Sequence, residues 1–107
     1  MMIQTNVANS LEDHDGSTTE WEASVRSRLS RYEDRLTRIE IHVGDVNAGK
    51  GGPDDKRCTL EARPNGLAPV SVTDDAATID QAVAGAAGKL LVTLERTFGK
   101  LTDRKGH

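Results

Sequence analysis

Residues Asp74–Leu101, DDAATIDQAVAGAAGKLLVTLERTFGKL, set the terms on which everything else in this chain must pack. Apolar side chains recur at Ile79, Val83, Ala86, Leu90, Leu94 and Leu101, in steps of three, four and seven. At about 100° per residue they share one stripe, the pattern of a helix buried along one side. Asp74 is placed to cap its N-terminus, and Asp75 and Asp80 add negative charge at the positive end of the helix dipole. The other end is basic, with Lys89, Arg96, Lys100, Arg104 and Lys105. An unbroken helix of this length spans roughly 40 Å, the width of a small domain. It is expected to lie across the rest of the fold.

The 107 residues are read as one domain, 1–107, large enough for a core without metals or disulfides. Trp21, Tyr32 and Phe98 are the only aromatic residues, so the core must come from Val, Ile, Leu and Ala. The single cysteine, Cys58, has no partner within the chain, which favours a reducing compartment. The sequence has no signal-peptide pattern and no apolar run near the ~18 residues that would cross a bilayer. A cytoplasmic protein with no membrane partner is expected.

The formal net charge of −3 argues against nucleic-acid binding, but its distribution does not. Residues 1–20 hold four acids and no Lys or Arg, whereas 21–38 hold five arginines against three acids. From Lys89 onward there are five basic residues and two acidic ones. Local potential, not net charge, selects partners.

Taken from the start, Ile3, Thr5 and Val7 alternate with Gln4 and Asn6, a short strand. Asn9–Gly16 is polar and turn-forming, and Ser17 with Glu20 has capping-box spacing. The helix that follows would bury Trp21, Val25, Leu29, Tyr32 and Leu36, with Arg28, Arg31 and Arg35 on a second stripe about 90° away. Residues 38–46 alternate with Ile39, Ile41 and Val43 to one side and Glu40 and His42 to the other. A glycine-rich hairpin loop, Asn47–Asp55, leads to a strand with Cys58, Leu60 and Ala62 inward and Thr59 and Glu61 outward. Pro64, Asn65 and Gly66 form a turn before a last short strand at Val70 and Val72.

The order is β-α-β-β-β-α, and one-sided strands and helices satisfy each other only face to face. The expected fold is α+β: a two-layer sandwich of a four-stranded sheet with both helices on one face. The three consecutive strands form an antiparallel meander. Glu40, His42, Thr59 and Glu61 are left on the open face.

Chemical motifs fail on inspection. Gly44–Lys50, GDVNAGK, has phosphate-loop spacing, yet Gly51 replaces the magnesium-binding Ser or Thr and a strand follows in place of a helix. Glu12, Asp13, His14 and Asp15 are consecutive, and four consecutive residues rarely converge on one ion. Cys58 reads as a small inward hydrophobe, and no histidine has a sequence context that suggests a catalytic base beside it. No enzymatic activity, cofactor or metal is expected.

Two basic stripes remain. A solvated helix face is the ordinary reading of either alone. With both helices on one side of the sheet, however, Arg28, Arg31 and Arg35 would stand near Lys89, Arg96 and Lys100 along a positive groove. That surface suits a phosphate backbone, and scarce aromatics argue against single-strand stacking, so folded RNA is the better fit.

The element order, the strand Lys56–Arg63 (KRCTLEAR) and the helix segment Lys89–Leu101 (KLLVTLERTFGKL) resemble the ribosome hibernation-promoting factors, also called the ribosome-associated inhibitor A family. The likeness runs from Ile3 to Leu101 as a diffuse pattern, and its most specific pieces are Arg38–Pro64 and the helix motif Ile79-Asp80 followed by Lys89-Leu90. It implies binding to rRNA of the small ribosomal subunit, occluding the mRNA and tRNA channel and silencing idle ribosomes under stress. Carried over by position, the RNA-binding candidates are Lys89, Arg96 and Lys100, with Arg28, Arg31 and Arg35. Longer family members add a C-terminal dimerisation domain, and this chain resembles the short form. A monomer with no DNA partner is expected. Two departures stand out: Val92 and Phe98 occupy positions where Lys or Arg is common, and the Asn47–Asp55 loop is long and acidic. They favour an alternative, a protein-interaction regulator that uses the same fold through its open sheet face.

Overall fold

The computed structural model describes residues 1–8, 18–46 and 56–105, with side chains to Gly99 in the last segment. In chain order the elements are β1 (Met2–Val7), α1 (Thr18–Arg28), a 3-10 helix (Ser30–Arg35), β2 (Leu36–Asp45), β3 (Lys56–Pro64), β4 (Val70–Ala76) and α2 (Ile79–Lys105). The strands form one sheet in the order β1-β2-β3-β4. β2, β3 and β4 make the antiparallel meander, and β1 joins its β2 edge in parallel, Ile3 opposite Ile39. Parallel pairing follows from the α1 crossover between the two strands, since a hairpin could not return the chain in that direction. This is the expected α+β sandwich.

Its core lies between the sheet and the helices. Ile39, Ile41, Val43, Cys58, Leu60 and Ala62 project from the central strands, facing Trp21 and Val25 from α1, Leu29 just after it, and Val83, Ala86, Leu90 and Leu94 from α2. The β1 and β4 side chains that point the same way, Ile3, Val7, Val70 and Val72, are half-buried, as edge positions must be. Small residues at Ala82, Ala86 and Ala87 are fully buried and let the first half of α2 approach the sheet closely. The Trp21 indole N–H donates to Asp80 Oδ1 at 2.7 Å, tying α1 to the start of α2.

Three sequence expectations change. The first helix does not run to Leu36: it ends at Arg28, and Ser30–Arg35 tightens into the 3-10 form. A period of three sets Tyr32 and Arg35 on one side, and both reach Phe98: the rings are 5.1 Å apart, and the Arg35 guanidinium lies 3.9 Å from the Phe98 ring centre. Leu36 is the first residue of β2, and a bulge between Leu36 and Arg38 turns both Leu36 and Ile39 inward. The N-cap of α2 is Thr78, whose Oγ1 accepts from the Gln81 N–H at 3.1 Å; Asp74 belongs to β4. Gly66, at φ 75°, completes the Pro64–Leu67 turn, where Leu67 N–H donates to Pro64 O at 3.3 Å. Ser17, the Asn9–Gly16 turn, the Glu12–Asp15 cluster and the Asn47–Asp55 loop lie outside the described residues.

Candidate nucleic-acid interface

The six candidate cations occupy different elements. Arg28 closes α1; Arg31 and Arg35 sit on the 3-10 helix; Lys89, Arg96 and Lys100 lie on α2. The Lys100 side chain is outside the described residues. Arg28, Arg31 and Arg35 therefore do not share a single helical stripe, because the backbone changes period at Leu29.

Each cation has its own surroundings. Arg31 donates from Nη1 to Glu95 Oε2 at 2.9 Å, and its guanidinium carbon is 5.6 Å from the Tyr32 ring centre. Arg35 covers the face of Phe98, a cation–π contact that also seals the core at this end. Lys89 donates to the Thr73 carbonyl at 2.8 Å and pairs with Asp74 Oδ1 at 2.9 Å. Gly85, one turn before Lys89, gives the Asp74 carboxylate the room it occupies, since a Cβ there would overlap it. Arg28 and Arg96 are exposed and make no ion pair among the described residues.

The arrangement differs from the single groove expected. Arg31 and Arg35 press against one side of α2 through Glu95 and Phe98. Lys89 and Arg96 lie about 100–120° around the helix from Glu95 and about 160–180° from Phe98, at roughly 100° per residue, facing the β4 edge. There they border an open groove of about 540 Å³ with Val72, Thr73, Gly88, Val92 and Thr93. The two basic groups flank α2, and Glu95 and the exposed Val92 separate them. Phe98 is buried core and serves as the platform for Arg35. Sequence reasoning named Lys89 and Arg96 but not the polar groove wall at Thr73 and Thr93. The signal was present: Thr93 is four residues from Lys89 and donates to its carbonyl at 3.0 Å.

On the open sheet face, one sequence reading is corrected. His42 does have carboxylates beside it: Nε2 is 3.0 Å from Glu61 Oε1 and 3.3 Å from Glu40 Oε1. Glu61 is remote in sequence and arrives only through the β2–β3 register. At the β4 edge, Arg57 grips Asp75 with two hydrogen bonds, 2.7 and 3.0 Å, which hold the Asp75 carboxyl below its ordinary range and push the Arg57 guanidinium up. Cys58, fully buried, has its thiol pushed up to about 12, first by burial and then by the Asp74 charge. Among the described residues no helix is long and apolar enough to cross a membrane.

No family model and no curated protein sequence matches the chain. Solved structures do. The N-terminal domain of Thermus thermophilus protein Y superposes with a TM-score of 0.69 at 22% identity, over 91% of this chain and 99% of that one. A ribosomal subunit interface protein from Coxiella burnetii superposes at 0.68 and 17% identity, over 92% and 99%. The chain has the fold of these proteins. At such identities the likeness is one of fold, the β-α-β-β-β-α framework.

Proposed function

We propose that this protein is a ribosome-binding translation silencer, a hibernation factor of the short type. In this reading the exposed cations beside α2 dock on rRNA of the small subunit and the body of the domain occludes the mRNA and tRNA channel. The observation that carries it is the pairing of a fold shared with a ribosomal subunit interface protein and a cationic flank, Lys89 and Arg96, on that fold's long helix. Phosphate neutralisation by Lys and Arg is the ordinary basis of such binding and makes it salt-sensitive. With ~4–6 phosphate contacts, affinity falls by several orders of magnitude over a decade of salt.

The internal partners of the cations rank them. Arg31 and Lys89 are already paired with Glu95 and Asp74, whereas Arg28 and Arg96 have no ion-pair partner among the described residues. Arg96 leads, and Lys89 assists from the same groove. The protein acts by occupancy, as a cytoplasmic monomer without catalysis or cofactor.

The test is peptide synthesis in a reconstituted translation system. Stoichiometric wild-type protein lowers the yield, and the Arg28→Glu/Arg96→Glu variant, which breaks no ion pair among the described residues, does not. Equal inhibition by the variant removes the basic flank from the account. No inhibition by either overturns the silencer reading and favours the alternative, a protein-interaction regulator that acts through the open sheet face without RNA.

A further inference from the structure

The open face of the sheet carries a three-residue cluster that neither the ribosome reading nor the core requires. Glu40 and His42 are alternate residues of β2 and so project on the same side, and Glu61 of β3 stands directly opposite Glu40 in the ladder. Like charges directly opposite each other on adjacent strands destabilise a sheet. Here both carboxylates aim an oxygen at one point: Oε1 of Glu61 and Oε1 of Glu40 lie 3.0 and 3.3 Å from His42 Nε2. One ligand atom from each residue falls within 4.8 Å of the other two.

From this we infer that Glu40, His42 and Glu61 form a binding site for a first-row divalent cation of the zinc type. Zinc–nitrogen and zinc–oxygen bonds are about 2.0–2.2 Å, so neighbouring tetrahedral ligand atoms sit roughly 3.3 Å apart. The two His42 separations already have that size, and the cation enters with small side-chain adjustments. An imidazole among carboxylates selects zinc, cobalt, nickel or copper over magnesium and calcium, which take oxygen ligands.

The surroundings supply support and competition. Asn6 of β1 is the register partner of His42, and its Nδ2 lies 3.4 Å from His42 Nδ1. With the cation on Nε2 the proton moves to Nδ1, and the Asn6 amide, turned over, presents its oxygen to it. That is the outer partner a metal-bound histidine ordinarily has. Arg38 pairs with the second oxygen, Oε2, of Glu40 and leaves Oε1 toward His42, yet its charge opposes the cation. The site is on the sheet face away from α1 and α2, so it stands apart from the proposed rRNA contact, and neither depends on the other.

Zinc chloride titrated into the 107-residue protein in chelator-free buffer, followed by calorimetry and by the histidine ring signals in NMR, tests the inference. One saturable site is expected, with the His42 ring protons shifting most. His42→Ala abolishes it, Glu61→Gln weakens it by more than tenfold, and Asn6→Ala weakens it by about tenfold. Arg38→Gln tightens it, and His14→Ala/His107→Ala leaves it unchanged. Circular dichroism checks that each variant keeps the native fold; these side chains are at the surface, and Glu61→Gln is isosteric. No saturable binding at millimolar zinc, or binding that survives His42→Ala or disappears with His14→Ala/His107→Ala, overturns the assignment.

Discussion

Cys58 shows how far a single position can be read from its neighbours. Alternation along Arg57–Arg63 pointed it inward, and it is fully buried between the sheet and α2. Burial disfavours the thiolate, the reactive form, and pushes the thiol up to about 12. The native protein is therefore expected to resist an aromatic disulfide reagent at pH 8 and to react promptly once denatured; fast labelling of folded protein would contradict the packing. Asp75 is the opposite case, exposed and invisible to pattern, because its partner Arg57 sits across the β3–β4 ladder. Its folded pKa lies below its unfolded value, so the pair's contribution is present above the ordinary carboxylate range and is lost as pH falls through the lowered pKa. In Arg57→Ala the Asp75 carboxyl should titrate nearer the ordinary value of about 3.9, measured by NMR; no movement would mean the two hydrogen bonds do not form in solution. Inward alternation is local information, whereas cross-strand pairing needs the register, and His42 with Glu61 went unread for the same reason.

Among the elements, α2 was the most readable, and its errors are instructive. Its stripe at Val83, Ala86, Leu90 and Leu94 is buried as the periodicity requires. Its start was set too early because Asp74 is a plausible cap by residue type, yet Asp74 and Asp75 extend β4 and the hydroxyl of Thr78 does the capping. Thr78→Ala should lower stability by about 1 kcal/mol in denaturant titration. The glycines of α2 separate by what surrounds them. Nothing lies near a Cβ placed at Gly88, so Gly88→Ala should stabilise by roughly 0.5–1 kcal/mol through helix propensity. At Gly85 a Cβ would displace the Asp74 carboxylate from Lys89, so Gly85→Ala should forfeit that gain. Equal melting shifts for the two variants would refute the close approach of α2 to β4. The first helix was overextended for a different reason. Leu29, Tyr32 and Leu36 fit a helical period, but steps of three and four also describe a 3-10 turn running into a strand, and no Gly or Pro marks the change.

At the scale of the molecule, the two-layer architecture followed from the one-sidedness of every element, which is why it could be anticipated from residue pattern alone. The distribution of charge around α2 could not. Whether Arg31 and Lys89 face each other or face away depends on side-chain partners, Glu95 and Asp74, drawn from other elements. The fold is shared with a ribosomal subunit interface protein at 17% identity, and a shared fold does not by itself fix what a protein binds. Function must then be decided at the surface. Co-sedimentation of the purified protein with small and large ribosomal subunits, at low and at moderate salt, addresses this most directly. The account predicts association with the small subunit that weakens steeply with salt and is lost in Arg28→Glu/Arg96→Glu. Failure to sediment with the small subunit at low salt, or binding indifferent to salt and to the charge reversal, would contradict it.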